Sequence, residues 1–215
     1  NAFHTSGGFM LRPSSTRADS TMPPFDIWVF NEFGKNSVEH IGYPVHSVYE
    51  DLTWDKSDTM SGAADDWAYE HLGVFSWTTE FWDAIFHATG EHSPLNIWYV
   101  GPTPEQDLAV CKWSDTHAPG SYIAWKKFDH PQLGPVEIGG CDYFRIWTNA
   151  PPSKLRDEVK EHVHFALFQA LASPKIEIKL ADAQSVGDGI WRVRMGIANT
   201  GWLGTEISAW AHKHN

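Results

Sequence analysis

Cysteine, basic residues and long apolar runs are scarce in this sequence, and each shortage argues against a class of protein. Two cysteines among 215 residues argue against a cysteine-rich zinc module or a dense disulfide framework, while one disulfide stays open. The 16 Lys and Arg against 27 Asp and Glu give a formal net charge of -11. Nucleic acids and anionic membranes bind surfaces with clustered positive charge, so we expect neither as a partner. No apolar run approaches the roughly 20 residues that cross a bilayer.

The composition that remains is typical of a globular protein with one sizeable core. Hydrophobic residues make up 42% of the chain, and there are 12 Trp. We expect most of these Trp in the core rather than on binding platforms. The first residues, from Asn1, have no initiator Met and nothing like a signal peptide. We therefore expect that upstream sequence is missing, and the compartment, secreted or cytoplasmic, stays open.

The hydrophobic pattern predicts an α/β domain over residues 1–173, a mixed β-sheet flanked by helices. A helix is predicted after Pro23 with Phe25, Trp28, Val29 and Phe33 on its buried face. A second helix is expected over 61–73 and a long one over 153–172. Strands are predicted by β-branched and aromatic runs at 8–12, 43–49, 74–82, 97–100, 134–139 and 143–148.

The pattern of apolar and polar residues changes after Pro174. Two segments, 175–180 and 190–198, alternate strictly between apolar and polar residues around the turn Gly187-Asp188-Gly189. This pattern is typical of an antiparallel pair with one solvated face. We therefore place a domain boundary near 174 and expect residues 174–215 to begin an antiparallel β-sandwich.

Two residues stand out chemically. His4 precedes Gly7 and Gly8, which allow a tight turn, so its ring can be aimed at a fixed point. Glu80 lies near the end of an apolar strand, where a buried carboxylate costs several kcal/mol unless it is paired or coordinated. The ordinary alternatives are a hydrogen-bonded structural His and a surface carboxylate on an edge strand.

These residues belong to two segments that together resemble a known family. One is His4-Thr5-Ser6-Gly7-Gly8-Phe9-Met10-Leu11-Arg12-Pro13, and the other runs from Ser61-Gly62 through Asp66-Trp67 to a strand ending in Glu80. In order and spacing they resemble the C-terminal portion of zinc metallocarboxypeptidases of the carboxypeptidase A type, closest to bacterial branches with an appended β-rich region. The resemblance covers residues 1 to about 90, and 128–140 and 153–172 more loosely.

The resemblance implies a cofactor, a reaction and roles for three residues. His4 corresponds to one of three ligands of a catalytic Zn²⁺, and Glu80 to the general base in hydrolysis of the C-terminal residue of a peptide substrate. Asp65 lines the pocket for the terminal side chain, where an acid favours Lys or Arg. An ordinary acid at a helix N-terminus is the alternative for Asp65.

The chain also departs from the family pattern. The His-x-x-Glu zinc motif and the substrate-binding arginines lie upstream of His4 in the family, so a missing N-terminal half of the catalytic domain is an expected partner. Asp58 stands where a substrate-capping Tyr is expected, and Ser6 where an aromatic residue is expected.

Other functions stay open. The alternative from another class is a noncatalytic peptide- or carbohydrate-binding module on a degenerate peptidase fold that uses its Trp residues. Within the enzyme class, an amidase acting on cell-wall peptides or a deglutamylase would use the same zinc site.

Overall fold

The computed structural model describes residues 1–58 and 60–214. Its centre is a four-stranded mixed sheet with the strand order β1-β4-β2-β3. Strand β4 runs parallel to β1 and antiparallel to β2, and β2 runs parallel to β3. Glu80 therefore lies on an inner strand, not at an edge. The strands of this sheet are β1 (Ala2–Thr5), β2 (Phe9–Arg12), β3 (Val45–Ser47) and β4 (Thr78–Phe81).

Helices surround this sheet, so the broad prediction of an α/β fold is confirmed. None of the helices in the described ranges is both long and apolar enough to cross a membrane. In chain order they are α1 (Pro24–Ile41), α2 (Ala64–Leu72), α3 (Ala84–Thr89), α4 (Ile97–Val100), α5 (Pro104–His117), α6 (Tyr143–Ile146), α7 (Pro152–Lys160), α8 (His162–Ala172) and α9 (Ala209–His214), with short 3-10 and π turns at Asp19–Thr21 and Val48–Leu52.

Helix α1 supplies the main core on one face of the sheet. Pro24 occupies its first turn, and Gly42 ends it with a left-handed φ of 81°. Phe30 and Phe33 pack with Met10 and Trp77 in the largest buried cluster. Phe25 and Trp28, predicted for the buried face, are 48% and 47% exposed, so that part of the prediction is wrong. The buried positions Val29, Phe30 and Phe33 define the true stripe.

A second apolar cluster lies beyond the end of β4. Trp82 and Ile85 pack there with Val110 of α5 and Ile146 of α6. A disulfide between Cys111 and Cys141 joins α5 to the end of the strand Gly134–Cys141, so the disulfide that the sequence left open is present.

Two antiparallel hairpins complete the fold. They are β5 (Tyr122–His130) with β6 (Gly134–Cys141), and β7 (Ile176–Gly187) with β8 (Ile190–Asn199). The antiparallel pair predicted after Pro174 is thus confirmed, while the domain boundary stays a prediction. Residues after β8 return to the α/β unit, where the Ser208 hydroxyl donates to the Gly73 carbonyl at 2.6 Å. Asn215, the last residue of the expected sandwich, lies outside the described residues.

Several predicted elements differ in type or length. Residues 97–100 and 143–148 were expected to be strands, yet they contain the short helices α4 and α6. The Asp142 side chain starts α6 by accepting a hydrogen bond from the Arg145 amide at 3.2 Å. The long helix is divided at Glu161 into α7 and α8, and the strand expected over 74–82 is confined to β4.

Candidate functional site

The fold brings His4 and Glu80 together. They are direct neighbours across the parallel strands β1 and β4. Nδ1 of His4 lies 3.2 Å from Oε2 of Glu80 and 2.6 Å from the Thr5 carbonyl oxygen. Two side chains 76 residues apart thus meet at the sheet edge where both strands end, an edge at which α/β sheets commonly bind ligands.

The turn after His4 depends on glycine. Gly8 has a φ of 71°, and a Cβ atom there would lie 2.8 Å from Cβ of Asp83. The Gly8 amide donates to the Glu80 carbonyl oxygen at 2.8 Å. Only glycine allows this close approach without strain, and the approach holds β1, β2 and β4 in register around the pair.

The two side chains have different environments. The His4 side chain is 72% exposed, whereas the Glu80 side chain is 14% exposed. Burial raises the pKa of Glu80 above its ordinary value, and the neighbouring His4 opposes this rise. A carboxylate with a raised pKa beside an open imidazole can accept a proton and release it again, as a general base does.

The described residues supply only part of a zinc site. Within residues 1–58 and 60–214, no three or more His, Cys, Asp or Glu side chains are grouped so that they could hold a metal ion. His4 offers one exposed donor, and a catalytic zinc takes three protein ligands and leaves one position open. The described side chains therefore do not hold such an ion by themselves.

Asp65 is a buried acid without a partner. It lies in the first turn of α2, is 1% exposed, and neither carboxylate oxygen makes a hydrogen bond to a described residue. Burial, reinforced by the charge of Asp66, raises the pKa of Asp65 to about 6. An ordinary acid at a helix N-terminus is solvated, so this environment needs a different explanation.

The neighbouring Asp66 shows the contrast. Its two carboxylate oxygens accept hydrogen bonds from the Ser15 amide at 3.1 and 3.0 Å, so Asp66 fixes the loop after β2. Near Asp65, the amides of Asp65 and Asp66 and the side chain of Thr78 on β4 oppose the rise of its pKa without offsetting its burial, although neither carboxylate oxygen accepts a well-formed hydrogen bond. Side chains alternate along a strand, so Thr78 and Glu80 project from the same face of the sheet. Asp65 is therefore on the Glu80 side of the sheet.

Sequence reasoning missed a polar network that holds the chain just after Glu80. The Trp82 amide donates to Oη of Tyr43 and to Oε1 of Glu158, both at 3.1 Å. Nε2 of His87 lies 3.2 Å from the other Glu158 oxygen. Trp82 has a φ of 73°, a left-handed conformation that is uncommon for a residue with a side chain. The network therefore fixes an unfavourable backbone conformation next to the candidate base.

This network lowers the pKa of Glu158. Burial alone would raise its pKa, but hydrogen bonds from His87, Tyr43 and the Trp82 amide hold the pKa below its ordinary value. Tyr43 and Glu158 are 115 residues apart, and nothing in the local pattern of either residue signals the contact.

The two positions that depart from the family pattern are placed differently. Asp58, which stands where a capping Tyr was expected, is exposed. Ser6 is buried at 4% exposure and lines a cavity where the chain continues beyond His4 and Glu80.

Comparison of the sequence with protein families and curated proteins identifies no relative. A scan of the sequence against protein-family models finds no match, and a search of curated proteins finds no similar sequence. The resemblance to metallocarboxypeptidases therefore remains a prediction from the two motifs.

Proposed function

We propose that this protein is a zinc-dependent metallocarboxypeptidase that hydrolyses C-terminal residues of peptides. The observation that carries the proposal is the contact of His4 Nδ1 with Glu80 Oε2 at 3.2 Å, formed by the two residues that the resemblance pairs as zinc ligand and general base. In this proposal residues 1–173 are the C-terminal part of a carboxypeptidase-type catalytic domain, and the hairpin β7–β8 begins the appended β-sandwich, while the residues after β8 pack on the α/β unit.

Glu80 transfers the protons of the reaction in this proposal. It takes a proton from the attacking water and passes it to the leaving amine of the scissile peptide bond. Its burial on an inner strand and its raised pKa support this role, because a carboxylate that is easily reprotonated can work in both directions. A bound zinc ion would make water more acidic and polarise the scissile carbonyl.

The zinc ligands besides His4 come from a polypeptide segment outside residues 1–215 in this proposal. The high exposure of the His4 side chain, 72%, is compatible with a further segment that covers it. The N-terminal half of a carboxypeptidase-type domain is the partner that the two motifs imply.

Asp65 favours a substrate whose C-terminal residue is basic. A buried carboxylate without a hydrogen-bond partner, on the same side of the sheet as Glu80, would gain both its missing donors and a neutralising charge from a Lys or Arg side chain. We therefore propose that the protein removes C-terminal Lys or Arg.

Release of C-terminal residues from peptides tests this proposal. The full-length gene product should release Lys from a peptide that ends in Lys, lose this activity to a chelator and regain it with Zn²⁺. Asp65→Ala should lower kcat/KM for the Lys peptide by about a hundredfold while that for a Leu peptide is retained, because a buried charge pair is worth about 3 kcal/mol. Asp129→Ala, on hairpin β5–β6, is the matched control. Full Lys release in the presence of chelator would contradict the proposal.

A noncatalytic binding module is the second candidate. Large aromatic side chains are exposed at several places, among them Trp54 at 69% and Trp125 at 60%, and such side chains can stack on sugars or peptides. Saturable binding of a peptide or oligosaccharide, weakened by Trp54→Ala or Trp125→Ala and without turnover in the zinc-loaded protein, would favour this candidate. An amidase or deglutamylase would instead cleave its own amide substrate with the same dependence on zinc.

A further inference from the structure

A small cavity lies where the chain continues two to three residues beyond His4 and Glu80. It has a volume of about 150 Å³, and four aromatic residues line it together with smaller side chains. We refer to it as the Trp98 cavity, after the residue at its rim. The aromatic residues are Trp82, Trp98, Tyr143 and Trp147.

The position of the cavity follows from the sheet. Ser6 and Gly7, two and three residues after His4, form one side, and Trp82 and Asp83, two and three residues after Glu80, form another. The cavity therefore begins where β1 and β4 end. Its outer side comes from 93–102 and 143–147, segments that lie outside the resemblance to metallocarboxypeptidases.

Solvent can reach the cavity. Trp82 is 1% exposed and forms its floor, whereas Trp98 and Tyr143 are 46% and 48% exposed. An opening between partly exposed aromatic side chains and a buried floor is the usual form of a small-ligand site. A sealed packing defect would have no such rim.

Size and polarity limit what the cavity can hold. Apolar cavities of about 150 Å³ bind benzene, so one ring or a branched aliphatic group fits. Asp83, the one charged side chain at the cavity, is already engaged, since its oxygens accept hydrogen bonds from the Ser93 hydroxyl and amide at 2.5 and 2.8 Å and from the Phe86 amide at 3.1 Å. Nδ1 of His92 also lies 3.4 Å from the Asp83 carboxylate, so its oxygens are already occupied and offer no acceptor to a ligand. This favours an apolar, uncharged occupant.

We propose that the Trp98 cavity binds an uncharged, ring-sized apolar group, and that this group is the side chain preceding the C-terminal residue of the peptide substrate. The second half rests on the proposed carboxypeptidase function. The first half does not, because binding of an apolar ring needs neither zinc nor turnover. Asp65 does not line the cavity, so the terminal basic side chain and the apolar side chain occupy different places.

Titration of toluene into the full-length protein, followed by NMR of the Trp indole N–H groups, tests the first half. We expect saturable binding with a Kd of about 1 mM or tighter, given the size of the ligand. Trp98→Ala should weaken binding about tenfold through loss of an aromatic contact. Ala84→Leu, at a buried wall of the cavity, should weaken it at least as much by filling the space. Trp191→Ala, on exposed strand β8, is the matched control and should bind toluene normally.

Three results would overturn the cavity proposal. They are absence of toluene binding up to its solubility limit, unchanged binding in both Trp98→Ala and Ala84→Leu, and tighter binding of tetramethylammonium than of toluene, which would indicate a cation site. Because Trp98 is half exposed, its variant remains informative if Ala84→Leu does not fold.

Peptide substrates test the second half. The ratio of kcat/KM for Phe-Lys over Gly-Lys peptide ends should exceed about ten in the wild type and fall toward one in Trp98→Ala. An unchanged ratio would overturn the substrate assignment even where toluene binds. If toluene binds but no peptide is hydrolysed, the proposed carboxypeptidase function is wrong, whereas the proposal that the Trp98 cavity binds an apolar ring is supported.

Discussion

At the scale of single residues, Asp65 shows most clearly how burial destabilises a charged side chain. Its carboxylate is 1% exposed and has no hydrogen-bond partner among the described residues. Its strongest charged neighbour is another acid, Asp66. Such a residue lowers the stability of the free protein, and a group of this kind is a candidate for a functional site.

Asp65 should make the stability of the ligand-free protein fall as the pH rises. Its pKa is raised from 3.8 to about 6, so between these values the folded state binds more protons than the unfolded state, and the free energy of unfolding decreases with pH. Asp65→Asn removes this dependence. The free energy of unfolding of the variant relative to wild type should therefore increase by about 2 kcal/mol between pH 4 and pH 7.

Urea denaturation at both pH values measures this difference, and the comparison cancels any pH-independent effect of the amide. Asp129→Asn, at an exposed position, is the control and should follow the wild type. An Asp65→Asn curve parallel to wild type across this pH range would show that the acid is solvated in the folded protein.

At the scale of elements, Asp26 of α1 connects three parts of the chain. Its carboxylate accepts hydrogen bonds from the Tyr69 hydroxyl of α2 at 2.6 Å and from the amides of Ala209 and Trp210, which open α9, at 2.7 and 2.9 Å. Asp26 is fully buried. One side chain thus satisfies a buried hydroxyl and the free amides of a helix start.

Replacement of Asp26 should release the α9 segment before the rest of the fold. Asp26→Ala leaves one buried hydroxyl and two partly buried amides without an acceptor, so we expect the free energy of unfolding to fall by about 2–4 kcal/mol. Hydrogen exchange should accelerate first in residues 203–214. The exposed Asp115→Ala on α5 is the control. Unchanged exchange in residues 203–214 of Asp26→Ala would contradict this role.

The elements also show how far the sequence predicts the structure. The segment that became β2, the helices α1 and α2, and the hairpin β7–β8 have clear periodicity and end signals, and each was predicted. Residues 97–100 form an apolar stretch of four that suits a strand or a buried helical turn equally well. The sequence alone therefore does not determine the type of this element, and the strand predicted there is wrong. His4 and Glu80 were each singled out from the sequence, but no predicted strand contained His4, so the parallel pairing of β1 with β4 that brings them together was not predicted.

The support around the candidate site was not predictable in the same way. Tyr43, His87 and Glu158 meet at the Trp82 amide only through tertiary packing, and each looks ordinary in its own segment. The Trp98 cavity likewise draws its walls from four separate segments. Local patterns fix the elements, whereas such contacts depend on how the elements pack.

At the scale of the whole molecule, the disulfide fastens the segment that covers the end of β4. Cys111 and Cys141 are 30 residues apart, and the loop they close contains hairpin β5–β6. The apolar cluster of Trp82, Ile85, Val110 and Ile146 lies next to it. Closing a loop of this length reduces the entropy of the unfolded chain.

Loss of the disulfide should destabilise the protein and loosen this cluster. Replacing both cysteines by serine should lower the free energy of unfolding by about 3 kcal/mol. Chemical denaturation measures the change, and wild type treated with a reductant should show the same loss. Two free thiols in the mass of the untreated native protein, or equal stability of the double variant, would contradict this expectation.

The sheet places Glu80 next to His4, the residues proposed as general base and zinc ligand. The most direct test is turnover of the full-length Glu80→Gln variant on a peptide that ends in Lys, with its zinc content measured in parallel. We expect kcat to fall by about a thousandfold or more while the zinc content is retained, because the amide keeps the shape of the side chain but cannot take a proton. Glu137→Gln, on exposed strand β6, should keep full activity. Unchanged turnover in Glu80→Gln would contradict the account.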